Sequence, residues 1–456
     1  MNHDNHLSRR ALLGRSATVA GAVLAGSALS ACGTGGSGGS GGGKPTLQVM
    51  IDGTDTEFGK LMAQFESAND CKVVVSKFDK VKLNASIAAG NPPDLVRTNG
   101  ASEMPNLIAR GLVENLDPYL AKSTVFKADD LDPIVGVYRF DGKQQGKGSL
   151  YGFPSDYSQD CMLWFNKELF DRAKVPHLKP TDTLSYDDVL DLGKRLTVRK
   201  GGKVDVYGFD PAWNFVNQGH LMQMIAQQGG SLWNDDFTKA DFTTPEARKA
   251  IQWYLDWGKA RVGTGPLDPT SDWQGPIYDS GRIAIQSYGY WFGAIINSAD
   301  AGAKRAELAA ASGFVPAPQM GSTRVDSCMT GSGAWIPKQA AHKELAFKFL
   351  EFWRGGAPGV EHFEAGGGLP ALKHMRSLLP RTTAFDKDHY DVQMENLKNF
   401  SILQFSPYAD YTAVEGAITT NVEAAIKGQA SLDSAIRKLQ TAMDDIVQQG
   451  KQQLGA

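Results

Sequence analysis

Apolar and polar residues follow two different periods along this chain, and the switches between them mark its elements. Thr46-Leu47-Gln48-Val49-Met50-Ile51 predicts a buried strand, and Asp52-Gly53-Thr54-Asp55 turns out of it. Phe58, Leu61, Met62 and Phe65 then fall at helical spacing, so an amphipathic helix follows. Residues 71–75 predict a second strand, and 83–89 a short helix stopped by Gly90-Asn91-Pro92-Pro93. Asp94-Leu95-Val96 starts a third strand, with Asp94 read as a structural turn or cap residue. Strand and helix in alternation predict an α/β fold with a parallel sheet covered on both faces. Ligands of such sheets sit beyond the carboxyl ends of the strands, where Thr54, Asp55, Thr98 and Asn99 fall.

The stretch 150–170, LYGFPSDYSQDCMLWFNKELF, organises the rest. A turn at Gly152 and Pro154 leads through a polar run into the apolar strand Met162-Leu163-Trp164-Phe165, and Asn166-Lys167-Glu168 starts a helix. Ser155 to Asp160 thus lie between two ordered pieces of backbone, where binding residues tend to sit. Tyr157, Gln159 and Asp160 are cleft candidates by position; Asp160 reads equally as a partner for a nearby cation, and Asp156 as a turn residue.

Further on, Ser185 caps a helix through Leu196, and a helix runs from about Asn217 to Gly229-Gly230. Thr244-Pro245-Glu246 starts another, with Ala247, Ala250, Ile251, Tyr254 and Leu255 as its apolar face. Trp253, Trp257 and Trp353 sit at apolar helical spacing and read as core. Trp291 follows a Gly-Tyr turn at a strand end, a position that suits a pocket. Trp213, Trp273 and Trp335 fall in irregular segments and read equally as pocket or core. Leu432, Ala435, Ile436, Leu439, Met443, Ile446 and Val447 form one long stripe of core packing.

The N-terminus has a pattern of its own. Ser8-Arg9-Arg10-Ala11-Leu12-Leu13 precedes an uncharged, Ala/Gly-rich run to Ala31, which reads as an export signal, its paired arginines pointing to the twin-arginine route. Leu29-Ser30-Ala31-Cys32 is similar to a bacterial lipobox, so Cys32 is expected to receive lipid after cleavage of 1–31. Residues 32–43 then form a Gly/Ser tether reaching roughly 17–20 Å. Within it Gly35-Gly36-Ser37-Gly38-Gly39 fits the hydrolase pattern G-x-S-x-G but lacks the strand and helix that the motif requires.

Composition narrows the function. The 456 residues carry 47 Lys and Arg against 50 Asp and Glu, and removing 1–31 takes away three Arg and one Asp, leaving a net charge of −5. No basic stripe is present, which argues against nucleic acid. Some 410 folded residues point to two lobes. Beyond Cys32 the cysteines are Cys71, Cys161 and Cys328, an odd number without C-x-x-C; one pair, Cys161 with Cys328, is open, with small buried thiols the commoner use. The histidines are scattered, so no metal is expected, and nothing singles out a catalytic carboxylate pair.

Several segments resemble, in order, the family 1 extracellular solute-binding proteins, the sugar-type receptors of ABC importers. Residues 150–170 resemble the family's "lyGvP … YNkdlf", 90–96 (GNPPDLV) its "G.xPDv", and 111–117 its "G.l.pLd". Thr183 to Asp188 is similar to "P.Twdel", and Gly281 to Ile285 through Gly289-Tyr290-Trp291 to "G+aAm … G.W". Residues 313–318, 331–338 and 366–370 resemble "gf.p.P", "gg.g..i.k" and the "G.lP" turn. The resemblance implies a two-lobed periplasmic-binding-protein-like fold (type II) with a three-segment hinge and a cleft between the lobes. The lobes would be 44–158 with 332–366, and 159–330 with 369–456. It implies a carbohydrate in the cleft, with Trp291 stacking on the sugar, beside Thr54, Asp55, Thr98, Asn99, Tyr157, Gln159, Asp160, Trp213, Asn217, Trp273, Tyr290, Ser332 and Trp335. No cofactor, no catalysis and a monomer are expected, delivering its cargo to membrane permease subunits with a separate ATPase, from an anchor on the outer face of the cell membrane. The maltose-type members carry an acidic residue where Gln159 falls and a tryptophan near Thr98; neither is here, which counts against a maltodextrin. A polyol, a glycerol phosphodiester, a peptide or a lipid-anchored carbohydrate-active enzyme are the alternatives.

Overall fold

Two separate sheets, each with its own apolar core, organise the chain from Lys44 onward. The computed structural model describes residues 43–51, 59–98, 100–211, 217–270, 273–298, 305–328 and 331–455. Cys32, Thr54, Asp55, Asn99 and Trp213 lie outside the described residues, as does the export and tether sequence through Gly42.

The first sheet has the strand order Lys72–Lys77, Thr46–Ile51, Leu95–Thr98, Gly333–Trp335, Phe153–Pro154. Its first three strands are parallel, as the strand–helix alternation predicts. The last two run antiparallel, so the sheet is mixed rather than parallel throughout. The reason is that these two strands arrive from distant parts of the chain and not through a helical crossover. Lys72–Lys77 is the outer edge, with Val74 46% and Val75 41% exposed, so this strand is less covered than its Val-rich sequence suggests. Asp94 is buried and structural: its carboxylate accepts from Gln48 N at 2.8 Å and His342 N at 2.8 Å.

The second sheet, Ile285–Ser287, Leu163–Asn166, Ser312–Val315, is antiparallel. Helices whose starts are written in the sequence pack around it. Ser185 and Asp188 form a reciprocal capping box on Tyr186–Leu196, and Thr244 caps Pro245–Ala260. Trp253, Trp257 and the stripe of Leu432–Leu454 (Ala435, Ile436, Leu439, Met443, Val447) are buried in this core.

The chain passes between the cores three times. The first passage, 155–162, joins Phe153–Pro154 to Leu163–Asn166. The second contains the short strand Asp326–Cys328 on the way to Gly333–Trp335. The third contains the helix Ala384–Asn396, which packs on Ser312–Val315, and the strand Phe400–Ile402, which pairs in parallel with Asp326–Cys328. Leu369, Leu372, Met375 and Leu379 pack into the first core, so the third passage falls after Leu379 and not at 366–369. The glycine turn there is internal to the first body; Gly368 takes φ +114 to bring the backbone against Asp156. Cys71, Cys161 and Cys328 are buried thiols, and the Cys161–Cys328 disulfide does not form.

Candidate functional site

The carboxyl ends of the parallel strands Lys72–Lys77 and Leu95–Thr98 open onto a shallow recess. Thr98, Glu103, Asn106, Arg110, Trp335 and Lys80 line it from the first body, and Asp410 and Tyr411 from the start of the helix Tyr411–Ile426. Trp335 is fully buried, and its indole Nε1 has no partner. It therefore serves as core and as lining at once. The chain reaches Glu103 through a tight 3-10 turn at Gly100–Ser102. Gly100 adopts φ +62 there, and a Cβ would collide with the Tyr138 hydroxyl, so no other residue fits.

The rim carries both signs of charge, Glu103 and Asp410 against Lys80 and Arg110. Burial pushes the Glu103 carboxyl up, opposed by the Lys80 ammonium and the Thr98 hydroxyl. Burial also pushes Glu415 up to about 7, opposed by the Gln218 N–H that donates to it at 2.9 Å. The phenol of Tyr411 is raised by burial and by both of these carboxylates. Lys80 is engaged, 3.4 Å from Asp410 and hydrogen-bonded to the Thr412 hydroxyl, and Asn106 Nδ2 donates to Pro407 O at 2.9 Å. Such a rim offers acceptors and hydroxyls to a neutral ligand rich in O–H groups.

The second body has an aromatic group of its own. Trp291 and Trp273, both half-buried, lie 6.4 Å apart between ring centroids, with Tyr288 5.1 Å from Trp291. Tyr288 donates to Gln274 Oε1 at 2.9 Å, and Gln274 donates to Thr264 Oγ1 at 2.9 Å. Asp160, buried, accepts from Ser158 Oγ at 3.0 Å, and both side chains press on Gly289, which starts the Tyr290-Trp291 turn. A side chain on Gly289 would overlap the Ser158 hydroxyl.

The structure thus brings together Thr98, Ser332 and Trp335 at one sheet end, since Gly333 pairs with Thr98, and Asp160, Trp273 and Trp291 around Gly289. Four of the expected site residues have other employment. Asn217 caps Gln218–Gln227, its Oδ1 accepting from His220 N at 2.9 Å. Tyr157 is buried, its hydroxyl accepting from Arg376 Nη2 at 2.8 Å, and Tyr290 is buried against His389. Gln159 is fully buried, with both ends of its amide bonded to protein. Sequence position placed these four between ordered elements, but it could not tell which way each side chain turns.

Glu103, Asp410, Tyr411 and Glu415 escaped the sequence reading. Glu103 had a signal, following the third strand's end by five residues. Asp410 and Tyr411 had only a helix-start pattern, with Asp410 the cap of its helix. Their place at the recess depends on a contact some three hundred residues distant in sequence.

Among the described residues no three acidic, His or Cys side chains are grouped to hold a metal, and no helix is long and apolar enough to cross a membrane.

Residues 60–389 match the bacterial extracellular solute-binding protein family, and the chain belongs to that family. Among curated proteins it is 24% identical over 344 residues to the mannitol-binding protein of Pseudomonas aeruginosa, covering 71% of this chain and 74% of the relative. Among solved structures it resembles an ABC substrate-binding protein of Listeria monocytogenes in complex with cycloalternan, with TM-score 0.72 and 21% identity, covering 89% of this chain and 98% of that one. A solute-binding protein of Thermotoga lettingae bound to α-D-tagatose has TM-score 0.72 and 20% identity, with 89% and 100% covered. The periplasmic-binding-protein-like α/β fold is therefore shared.

Proposed function

We propose that this protein is the substrate-binding receptor of an ABC importer and that it takes a carbohydrate between its two bodies. The observation that carries the reading is the recess at the strand ends, where acceptors and hydroxyls from both bodies surround a buried tryptophan. Aromatic faces suit the C–H side of a sugar ring, and carboxylates and hydroxyls suit its O–H groups. The bodies that close are 44–158 with 332–379, and 159–330 with the remainder. Closure stores the binding event as a shape that permease subunits read, through differential affinity for the closed form. Export uses Arg9-Arg10, and Cys32 carries the lipid that holds the protein at the outer face of the membrane. No reaction is catalysed.

A second reading, a sugar alcohol as ligand, is favoured by the mannitol-binding relative. One thermal-shift series on the protein lacking residues 1–43 separates the two, with D-mannitol, D-tagatose, maltotriose and cycloalternan as probes and a glycerol phosphodiester as control. A ligand at 100 times its Kd adds about 2.7 kcal/mol. Stabilisation by a cyclic sugar that is recovered unchanged, and lost in Trp291→Ala, is the expected result. Stabilisation by mannitol alone moves the ligand to the polyols, stabilisation by the phosphodiester alone rejects both, and recovery of cleaved sugar rejects the receptor.

A further inference from the structure

Gln159 lies in the first passage, and its three side-chain partners lie in the other two. Its Nε2 donates to Asp326 O at 3.1 Å in the second passage and to Asn396 O at 3.0 Å in the third. Its Oε1 accepts from Gln393 Nε2 at 2.7 Å, one turn earlier on the same helix as Asn396. Around this amide the passages are tied again. Asn396 Nδ2 donates to Asp326 Oδ2 at 2.5 Å, the Ser327 and Ser401 hydroxyls meet at 2.7 Å, and Asp160 N donates to Ser327 O at 3.3 Å. Ser327 N donates to Gln223 Oε1 at 2.8 Å, which links the knot to the second body.

We infer that Gln159 is a positioning residue for closure: one buried amide pins all three passages at the pivot and so sets ligand affinity without touching ligand. The inference rests on the two-body receptor reading. When one body rotates against the other, atoms move in proportion to their distance from the axis. Bonds of about 3 Å survive only close to it. Polar contacts at the recess, Lys80 with Asp410 and Asn106 with Pro407, join the bodies across open space and must break on opening. The knot joins the same bodies where the chain itself joins them, so it can persist in both forms. Gln is the residue that fits. Its amide supplies two donors to two carbonyls and one acceptor to another amide, which neither Glu nor Leu can do. Without the pin, the ligand-free protein samples a wider range of openings, and the closing-competent fraction falls with apparent affinity.

The test uses residues 44–456, one compact unit with its own cores, and compares wild type with Gln159→Leu and Gln159→Glu. Small-angle scattering without ligand is the primary measurement, and D-mannitol and maltotriose titrations are the second. The expected result for Gln159→Leu is a larger, broader ligand-free particle and an affinity loss of about tenfold, the net worth of one or two hydrogen bonds. Gln159→Glu should be expanded at pH 8 and return toward wild-type dimensions at pH 5, where a protonated acid can donate to one carbonyl; it carries the test if the Leu variant does not fold. A lower melting temperature with unchanged scattering and affinity would reduce Gln159 to core packing and overturn the inference. Lost affinity with unchanged scattering would make it a ligand contact, and overturns it too. If neither probe binds wild type, the choice of ligand fails while the scattering still decides the pin.

Discussion

Two polar regions of this protein are built from similar side chains and do opposite things. At the passages, Gln159, Gln393, Asn396 and Asp326 are buried and bonded to one another and to backbone, with only Asp326 Oδ1 and Gln393 Oε1 among these side-chain atoms left without a partner. At the recess, Thr98, Glu103, Asp410 and Tyr411 face open space. The lesson is that polarity between two lobes does not by itself mark a ligand site. A polar group already satisfied by protein gains nothing from a ligand, whereas one facing an open volume can exchange water for ligand hydroxyls.

The comparison can be broken most forcefully at Trp335, which belongs to core and recess together. Trp335→Ala should cost about 3–5 kcal/mol, the usual price of a buried aromatic, and also weaken sugar binding; denaturant melts that show less than ~1 kcal/mol would mean the ring is not core. Next is Asn396→Ala, which strips the donor from a buried Asp326 carboxylate. A loss of about 1–3 kcal/mol is expected from a buried carboxyl oxygen left without its donor, with sugar affinity changing only in step with the hinge. At the recess, Glu103→Gln and Tyr411→Phe should each lower sugar affinity about tenfold, or ~1.4 kcal/mol, while melting temperatures stay near wild type. Calorimetric titration that finds full affinity in both would empty the recess of its role. Asn217→Ala should cost about 1 kcal/mol as a lost helix cap and leave affinity alone, and a selective affinity loss would return Asn217 to the ligand.

One further effect shows only as a slope with pH. Burial raises Asp326 from 3.8 to about 7, with Asp160 adding and Asn396, Arg324 and Gln223 opposing, and Cys161 is a buried neighbour. The folded protein therefore keeps a proton that the unfolded chain releases near its ordinary value, so this group's contribution to stability falls as pH rises from about 4 to 7. Asp210 and Glu415, also raised to about 7, act in the same direction. His220 and His389, lowered by burial to about 4, act oppositely, their contribution being lost as pH falls from 6.5 toward 4. Asp326→Asn should thus gain stability relative to wild type as pH rises across that window, and parallel profiles for the two proteins would contradict the buried, proton-holding carboxyl.

Much of the architecture was legible in the sequence because it is set by local rules. The strand at Thr46–Ile51, the Ser185 and Thr244 caps, the Asn166 helix start and the final apolar stripe each depend on residues within a turn or two of one another. Trp253, Trp257 and Trp353 announced their burial through helical spacing, and all three are buried. Trp291 read as a pocket residue from its turn at a strand end and Trp273 equally as pocket or core, and in the structure the two half-buried rings lie beside each other.

What the sequence could not decide was how distant segments meet. The antiparallel completion of the first sheet, the third passage beyond Leu379, the inward turn of Gln159 and the arrival of Asp410 and Tyr411 at the recess all join segments far apart along the chain. Periodicity and caps report which face of an element is apolar and where it begins. Which partner fills a polar side chain's hydrogen bonds is settled only when the whole chain is packed, because most buried donors and acceptors must be satisfied at once. The sequence by itself determined the elements, the family and the kind of chemistry. The tertiary structure decided which polar residues are free to serve a ligand and which hold the protein together.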